Sequence, residues 1–226
     1  MAQKRAVDIF GAVVGLLLLW PVALVVAVLI KIGSPGPVLY RGRRVGRHGK
    51  PFYQLKFRTM RVGADAGATG LSPDNDPRIT RIGAFLRKFK VDELPQLWNV
   101  LVGEMSLVGP RPDVQRFVDM FPDEQRVILQ VRPGITDWAS LWNSDEGAVL
   151  ATFDDPDAAY LELIHPKKLH LQMEYVRTMS AWSDLKIIFL TIARVFRRDR
   201  VEPDLAAMMA KMEESAPRAS KSQTTG

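Results

Sequence analysis

Residues 9 to 30 read IFGAVVGLLLLWPVALVVAVLI, an apolar run of 22 residues that contains no charged side chain. As a straight helix the run would be about 33 Å long, which is enough to cross a bilayer core of about 30 Å. It is too long for the apolar part of a cleaved signal peptide, and no small-residue cleavage site follows it. The run therefore predicts a membrane helix that stays in the protein.

Two features bear on how this helix meets the membrane. Pro21 lies near the middle, where it removes a backbone hydrogen bond and clashes with the preceding turn, so we expect the helix to bend or break there. Basic side chains, which favour the cytoplasmic side, flank both ends of the run. They are Lys4 and Arg5 before it and Lys31, Arg41, Arg43, Arg44 and Arg47 after it. A single span and a helix that breaks at Pro21 and re-enters the same face both remain open.

Composition narrows the chemistry of the rest of the chain. The 226 residues include no cysteine, which excludes disulfides, thiolate metal sites and a cysteine nucleophile. A formal net charge of +6 favours anionic partners such as nucleic acid, anionic lipid or phosphorylated metabolites. No phosphate-binding glycine loop of the ATPase or dinucleotide type is present, and the three histidines lack zinc-ligand spacing. With no repeat visible, one domain with appendages is expected.

The segments that follow the apolar run predict a mixed fold. Residues 38–40 and 52–57 predict two short strands of a hairpin around a basic, glycine-containing loop. Residues 63–77 are polar and rich in Gly, Ala and Asp, which is typical of a surface loop. Residues 79–102 predict a helix that is interrupted around residues 92–95.

The second half of the chain predicts three further helices. One is expected at residues 123–130, and another at residues 160–179 with Pro166 breaking its early part. In the third, apolar residues recur at helical spacing opposite a basic side; they are Leu185, Ile188, Phe189, Ile192, Val195 and Phe196. This helix either lies in a membrane interface or packs on the core. Residues 215–226 are small and polar and predict a disordered tail.

The pair Asp92 and Glu93, in the sequence KVDELPQ, is the strongest candidate for chemistry. Adjacent carboxylates among cations suit a metal site or a phosphoryl-transfer site, and a carboxylate can attack phosphorus to form an acyl phosphate. The alternative is that Asp92 caps the following helix. Pro95 weakens that alternative because it has no backbone N–H at the third position after Asp92.

Four basic residues are candidates for binding phosphate oxygens, since Arg and Lys are the side chains that commonly do so. They are Lys56, Arg58, Arg87 and Arg111. Each of them alone is more often a solvated surface charge.

Six motifs follow one another along the chain. They are Lys4-Arg5 with the apolar run and Pro21, KFRTM at 56–60, DELPQ at 92–96, GPRP at 109–112, RPGIT at 132–136 and DLK at 184–186. In this order the motifs resemble those of the bacterial sugar transferases called monotopic phosphoglycosyl transferases. The resemblance covers nearly the whole chain to about residue 198.

The resemblance implies an α/β fold that is mostly α with a small β-hairpin. A globular catalytic domain at residues 34–205 would sit on a re-entrant membrane helix at residues 1–33, with interfacial amphipathic helices. Residues 206–226 would form a helix end and a disordered tail. The catalytic domain would face the cytoplasm at the bacterial inner membrane.

The resemblance also implies the reaction. Asp92 would attack the sugar-bearing phosphate of a UDP-sugar, release UMP and pass the phosphosugar to a polyprenyl phosphate such as undecaprenyl phosphate. Asp92 and Glu93 would bind Mg²⁺, and Glu93 would assist metal or proton handling. Lys56, Arg87 and Arg111 would bind phosphate groups. The implied partners are these substrates and membrane lipid, without nucleic acid. The pathways that the family serves are capsule, exopolysaccharide, lipopolysaccharide and glycoprotein assembly.

The chain departs from many family members after RPGIT. Where they continue with Gly-Trp and an Asn-Gly-Arg type of segment, this chain has Asp137-Trp138 and then LWNSDEG at residues 141–147. The identity of the sugar therefore does not follow from the resemblance. Two other functions are weighed against the transferase: a conventional glycosyltransferase, which releases UDP, and a non-catalytic membrane-tethered module that binds anions and is insensitive to loss of Asp92.

Overall fold

The computed structural model describes residues 2–64 and 71–196, without the side chains of the last two. The helices are α1 (Ala2–Gly33), α2 (Arg81–Lys88), α3 (Gln96–Val102), α4 (Gln115–Val118), α5 (Trp138–Trp142), α6 (Glu146–Leu150), α7 (Pro156–Ala159), α8 (His165–Thr178) and α9 (Ala181–Phe196). The strands are β1 (Leu39–Val45), β2 (Pro51–Phe57), β3 (Ser106–Val108) and β4 (Gly134–Thr136). The expected fold class, a mostly helical α/β domain on an apolar N-terminal helix, is confirmed. The predicted tail lies outside the described residues.

Two small sheets organise the domain. Strands β1 and β2 form the predicted antiparallel hairpin, with Leu39 opposite Phe57 and Val45 opposite Pro51. Strands β3 and β4 pair in parallel, with Ser106 beside Gly134, and the sequence had not predicted this pair.

The helical predictions are confirmed in part. The interruption within residues 79–102 is a 3-10 turn at Val91–Glu93, between α2 and α3. The segment Asp123–Gln130 is helical but of the 3-10 type. The predicted helix at residues 160–179 is divided in its early part, as expected: Tyr160–Ile164 is a π-helix, and α8 begins at His165 with Pro166 in its first turn, where the missing N–H costs no helical bond.

The N-terminal end of α1 is tied to the domain by buried polar contacts. Lys4 Nζ donates to Asp184 Oδ2 at 2.6 Å and to a backbone carbonyl of β3 at 2.9 Å. Arg5 donates to two backbone carbonyls near the end of α3, at 2.6 and 2.9 Å. Asp8 Oδ1 accepts from Ser106 Oγ at 2.9 Å and from the next backbone N–H of β3 at 3.0 Å. This end of the helix is therefore docked on β3, α3 and α9.

The C-terminal end of α1 packs on the same domain through apolar side chains. Val26 and Ile30 are buried in one cluster with Phe57 of β2 and Leu86 of α2. The opposite side of the helix is exposed, and its apolar side chains include Leu17, Leu18, Trp20 and Leu24. Within the described residues, α1 is the helix that is long and apolar enough to cross a membrane, judged by length and composition.

The helix continues through Pro21 without an interruption. The proline therefore does not divide the segment into two helices, as the expected break would require. A proline can bend a helix without ending it, and the bend at Pro21 stays a prediction.

Helix α9 packs on the domain with one face and is exposed on the other. Asp184 and Ile187 on one side are buried against the domain. The other side carries an exposed apolar stripe that consists of Trp182, Leu185, Phe189 and Ile192. The helix thus packs on the core with one face and leaves uncovered three of the apolar residues found in the sequence, Leu185, Phe189 and Ile192.

Candidate active site

Three segments that are distant in sequence bring charged side chains together. The 3-10 turn after α2 supplies Asp92 and Glu93, β2 supplies Lys56, and the loop after β3 supplies Arg111. Lys90, at φ 56°, adopts the left-handed conformation that ends α2 and starts the turn. The turn is thereby folded back against β2 and the loop.

Glu93 is the carboxylate to which the cations are paired. Its Oε1 accepts from Lys56 Nζ at 2.9 Å, and Arg111 donates both to Oε1 and, at 3.1 Å, to Oε2. Burial by itself raises the pKa of Glu93, but the positive charges of Arg111 and Lys56 outweigh burial and hold the pKa well below its usual range. Glu93 is therefore ionised, with both oxygens occupied.

Asp92 has the opposite environment. Its side chain is buried, and among the described residues Oδ1 has no hydrogen-bond partner. Burial raises the pKa of Asp92, and the neighbouring Glu93 charge adds to that rise, while Lys56 opposes it. Asp92 does not cap α3. The N-cap residue of that helix is Pro95, and no side chain caps the helix there. Asp92 is thus a poorly solvated carboxylate with one buried oxygen that has no partner among the described residues.

Arg87 lies on the Asp92 side of the cluster. Its guanidinium donates to Thr59 Oγ1 at 3.0 Å and to Ser72 Oγ at 2.8 Å. Burial lowers the pKa of Arg87, and the carboxylate of Asp92 is the strongest influence against that shift. Arg87 is therefore held within electrostatic reach of Asp92.

Arg58, the fourth candidate for phosphate binding, is placed differently. Its guanidinium donates to the backbone carbonyls of Ser34 and Pro35, at 2.8 and 2.6 Å, and the residue is buried. These contacts fix the turn that follows α1. The structure therefore gives Arg58 a structural role at the end of α1 and does not join it to the Glu93 cluster.

The buried carboxylate of Asp137 holds the backbone of Arg111. In the sequence this residue was notable only because it departs from the family pattern. Asp137 is 0% exposed, and its Oδ2 accepts from the backbone N–H of Arg111 at 3.1 Å and from Gln172 Nε2 at 3.0 Å. Its Oδ1 accepts from the N–H and the hydroxyl of Ser140, at 2.7 and 2.6 Å, and so caps α5. One side chain therefore joins the Arg111 loop to α5 and α8.

The same loop is fixed by a close backbone approach between two motifs. The N–H of Gly109 donates to the carbonyl of Thr136 at 3.0 Å, and the N–H of Gly134 donates to the carbonyl of Pro110 at 3.0 Å. A Cβ at Gly134 would lie 2.1 Å from the nitrogen of Gly109, so glycine is required there. GPRP and RPGIT are thus parts of one structure that presents Arg111.

The segment at residues 141–147, which also departs from the family pattern, lies beside the cluster. The carbonyl of Gly147 accepts from the N–H of Asp74 at 2.9 Å, which joins the segment to the loop before α2. The charge of Glu146 contributes to a raised pKa of Arg111, although Glu93 is the main cause. Asn143 Nδ2 is buried without a partner among the described residues. The segment is therefore joined to the loop before α2, and Glu146 lies within electrostatic reach of Arg111.

The donor set at the cluster fits a magnesium ion only together with a substrate. The described residues contain no group of three or more His, Asp or Glu side chains arranged to hold a metal. Glu93 has both oxygens paired with cations, which leaves Asp92 as the available carboxylate. Mg²⁺ commonly uses one or two carboxylates, several waters and the phosphate oxygens of a substrate.

This cluster, with two carboxylates in opposite electrostatic states and three cations around them, is suited to binding a polyanion next to a reactive carboxylate. A family model described as bacterial sugar transferase matches residues 1–198. The chain belongs to the bacterial sugar transferase family.

Curated relatives agree with this membership. The chain is 43% identical over 199 residues to a UDP-glucose:undecaprenyl-phosphate glucose-1-phosphate transferase of Xanthomonas campestris pv. campestris. The aligned region covers 86% of this chain and 39% of the relative. It is 38% identical over 195 residues to a UDP-N-acetylgalactosamine-undecaprenyl-phosphate N-acetylgalactosaminephosphotransferase of Aeromonas hydrophila. This region covers 85% of this chain and 43% of that relative. A UDP-glucose:undecaprenyl-phosphate glucose-1-phosphate transferase of Caulobacter vibrioides is 36% identical over 200 residues. This region covers 87% of this chain and 71% of that relative. The chain thus spans about two fifths of the length of the first two.

Proposed function

We propose that the chain transfers a sugar-1-phosphate from a UDP-sugar to a polyprenyl phosphate, with UMP as the other product. The observation that carries the proposal is the buried carboxylate of Asp92, whose Oδ1 is unpaired beside cations that are held by Glu93. The names of the relatives support a UDP-sugar as donor and undecaprenyl phosphate as acceptor. Such a product would begin the assembly of a cell-surface polysaccharide or glycoconjugate.

Asp92 is the nucleophile of the first step. A carboxylate oxygen attacks the sugar-bearing phosphorus, the bond from that phosphorus to the bridging oxygen breaks, and UMP leaves with the electron pair. An acyl phosphate then joins Asp92 to the sugar. In the second step an oxygen of the polyprenyl phosphate attacks the same phosphorus, which releases the Asp92 carboxylate and forms a polyprenyl diphosphate sugar.

The neighbouring residues orient and neutralise the phosphates. Lys56 and Arg111, preorganised by Glu93, bind phosphate oxygens on one side of Asp92, and Arg87 binds them on the other. Magnesium held by Asp92 and the diphosphate would supply further neutralisation of the charge that develops on the leaving UMP. In this arrangement Glu93 is a positioning residue rather than a metal ligand.

The contacts of α1 support a re-entrant placement in the membrane. A single straight span would carry one end of this helix, about 48 Å long, to the far side of a bilayer core of about 30 Å. Instead Lys4 and Ile30, near opposite ends, both contact the same domain. Basic residues flank both ends, which favours the cytoplasmic face of the inner membrane. The domain would then meet a soluble donor and a lipid acceptor at one interface.

Identification of the nucleotide product tests the proposal directly. Detergent-solubilised protein is incubated with polyprenyl phosphate, Mg²⁺ and a panel of UDP-sugars that begins with UDP-glucose and UDP-N-acetylgalactosamine. We expect UMP and a labelled lipid with at least one donor. UDP as the product would instead assign the chain to the conventional glycosyltransferases. Absence of any labelled lipid across the panel, with salt-dependent binding of anionic vesicles, would favour the non-catalytic module.

The contacts of Asp137 predict that it acts through Arg111. In Asp137→Asn the amide cannot accept at both ends, so either the Arg111 N–H or the cap of α5 loses its partner. We expect kcat/KM for the UDP-sugar to fall about 10- to 100-fold, because small displacements of a binding group are costly. In an Arg111→Ala background, which lacks the phosphate-binding side chain that Asp137 is expected to position, the same change should have less than about a threefold further effect, as expected for coupled residues.

Ser140→Ala is the matched control for Asp137→Asn. It removes the hydroxyl bond to Asp137 Oδ1 but keeps the backbone cap and the contact with Arg111. Steady-state kinetics of the single and double variants measure the coupling. Equal losses from Asp137→Asn in the wild-type and Arg111→Ala backgrounds would show that Asp137 serves the fold generally and not the position of the Arg111 side chain.

A further inference from the structure

An apolar groove lies between α1 and α2, with a volume of about 620 Å³. This volume falls in the range of about 300–1,000 Å³ that is typical of small-molecule sites. Its walls and floor include Val25, Val26 and Leu29 of α1 and Ile82, Phe85 and Leu86 of α2. The groove is therefore built half by the proposed membrane helix and half by the catalytic domain.

The groove is open along its rim. Val26 and Leu86 form a buried floor, with 5% and 1% of their surface exposed, whereas Val25 and Phe85 in the walls are 58% and 60% exposed. An exposed apolar channel of this size is typical of a surface that binds an apolar ligand or a membrane. Because α1 supplies one wall, the groove is accessible from the hydrocarbon region in which that helix would lie.

The lining of the groove includes the residue that precedes Asp92 in the chain. This residue is Val91, so the lining and the proposed nucleophile are adjacent in sequence. Arg81, the one charged residue in the lining, adds a cation at the rim, and Arg87 on the same helix lies within electrostatic reach of Asp92. A ligand with an apolar body and an anionic head would find matching surroundings along this path.

We propose that this groove holds the first isoprene units of the polyprenyl phosphate acceptor, with its phosphate directed to Asp92. The inference rests on the proposed function, since it gives the lipid substrate of that reaction a place. An ordinary phospholipid chain fits the groove less well in this role, because its phosphate is a diester and has no reason to approach a nucleophile. The hydrocarbon of the acceptor is thereby selected at the boundary between α1 and α2.

A two-step reaction allows the groove to be tested apart from the chemistry. The first step needs only the UDP-sugar and Asp92, so release of UMP without acceptor reports that step alone. Val25→Trp places a larger side chain in an exposed wall of the groove, where it can narrow the channel without overpacking the core. We expect the KM for a long polyprenyl phosphate to rise about tenfold or more, with the UMP burst unchanged. Val22→Trp, in the same wall, should act alike.

Two controls make the result specific. Leu18→Trp lies on the same helix with 70% exposure but outside the groove lining, and we expect its KM to stay within about twofold of wild type. A one-isoprene phosphate is too short to occupy the channel, so Val25→Trp should leave its KM unchanged. The KM values are measured in detergent at saturating UDP-sugar.

Several outcomes would overturn the inference. An unchanged KM for long polyprenyl phosphate in both Val25→Trp and Val22→Trp would show that the chain binds elsewhere. An equal rise in Leu18→Trp, or with the one-isoprene phosphate, would indicate a general disturbance of the membrane helix. If added phospholipid restores the variants, the groove holds a structural lipid instead. Failure of the proposed function has a different result, since wild-type protein would then release no UMP at all.

Discussion

Asp92→Asn is expected to lower UMP formation by on the order of 10³-fold or more, because an amide cannot act as the nucleophile that forms the acyl phosphate. The same change should not destabilise the fold. Oδ1 of Asp92 has no partner to lose, and the raised pKa of this residue shows that burial opposes its charge more than the nearby cations favour it. We therefore expect the melting temperature of Asp92→Asn at pH 7 to equal or exceed that of wild type.

The raised pKa of Asp92 also predicts how pH acts on the enzyme. Because the folded-state pKa lies above the usual value of 3.8, folding favours the protonated form. The contribution of Asp92 to stability falls as pH rises from 3.8 through the raised pKa and is constant above it. Activity requires the carboxylate, so it should rise over the same interval. The acid limb of kcat/KM, measured against pH, is expected above pH 3.8.

Asp119→Asn is the control for this prediction. Asp119 is an exposed carboxylate whose side chain accepts from Gln115, away from the cluster, so its replacement should change neither activity nor the pH profile. Wild-type rates of UMP release from Asp92→Asn, in protein that melts normally, would remove Asp92 from the role of nucleophile. Trapping of labelled phosphosugar on wild-type protein, and its absence in the variant, provides a second measurement.

The sequence marked Asp92 and Glu93 as a candidate pair, and the resemblance gave Asp92 the role of nucleophile, but the sequence did not show that the two carboxylates have different electrostatic environments. Asp92 and Glu93 are adjacent in the chain, and nothing local distinguishes them. The difference arises because the fold brings Lys56 from 37 residues before Glu93 and Arg111 from 18 residues after it, and both cations pair with Glu93. Tertiary pairing of this kind leaves no periodic signal in the sequence.

Arg58 shows how a local pattern can mislead. Lys56 and Arg58 are two residues apart, so a strand would place them on the same face. Strand β2 ends at Phe57, and Arg58 lies beyond it with its guanidinium turned to the carbonyls of Ser34 and Pro35. The strand itself was predicted correctly. Because it ends one residue before Arg58, the side chain of Arg58 does not follow the alternation along β2.

Strands β3 and β4 were missed for a similar physical reason. Each has three residues, too few to show an alternation of apolar and polar side chains, and they pair across a long connection. Their glycine-containing motifs were visible in the sequence, whereas the close approach of Gly109 to Gly134 was not. The apolar run and the β1–β2 hairpin were predictable because each is marked by residue types that extend over a longer segment.

Glu93→Gln is expected to lower the free energy of unfolding by about 3 kcal/mol, the scale for breaking a buried ion pair. The amide can accept from Lys56 or Arg111 but not from both through two oxygens, and it no longer compensates their charges. Activity should fall by about 10²-fold, because both cations then lose their preorganised positions. Urea unfolding in detergent at pH 7 and UMP release measure the two effects.

The low pKa of Glu93 fixes the pH dependence of this loss. Its ionisation stabilises the fold fully above the unfolded pKa of about 4.5, and the contribution is lost as pH falls through the lower folded pKa. The stability difference between wild type and Glu93→Gln should therefore be constant above about pH 5 and shrink in acid. Asp157→Asn, which breaks an exposed pair with Arg116, should cost only about 0–1 kcal/mol.

Adjacent residues thus have predicted effects of opposite sign on stability. Asp92→Asn should lose activity without loss of stability, because its charge is unfavourable in the folded state and is retained for the reaction. Glu93→Gln should lose both, because its charge holds Lys56 and Arg111 in place. A Glu93→Gln protein as stable as wild type at pH 7 would mean that the cations do not depend on Glu93. The preorganised phosphate site proposed around Asp92 would then lose its physical basis.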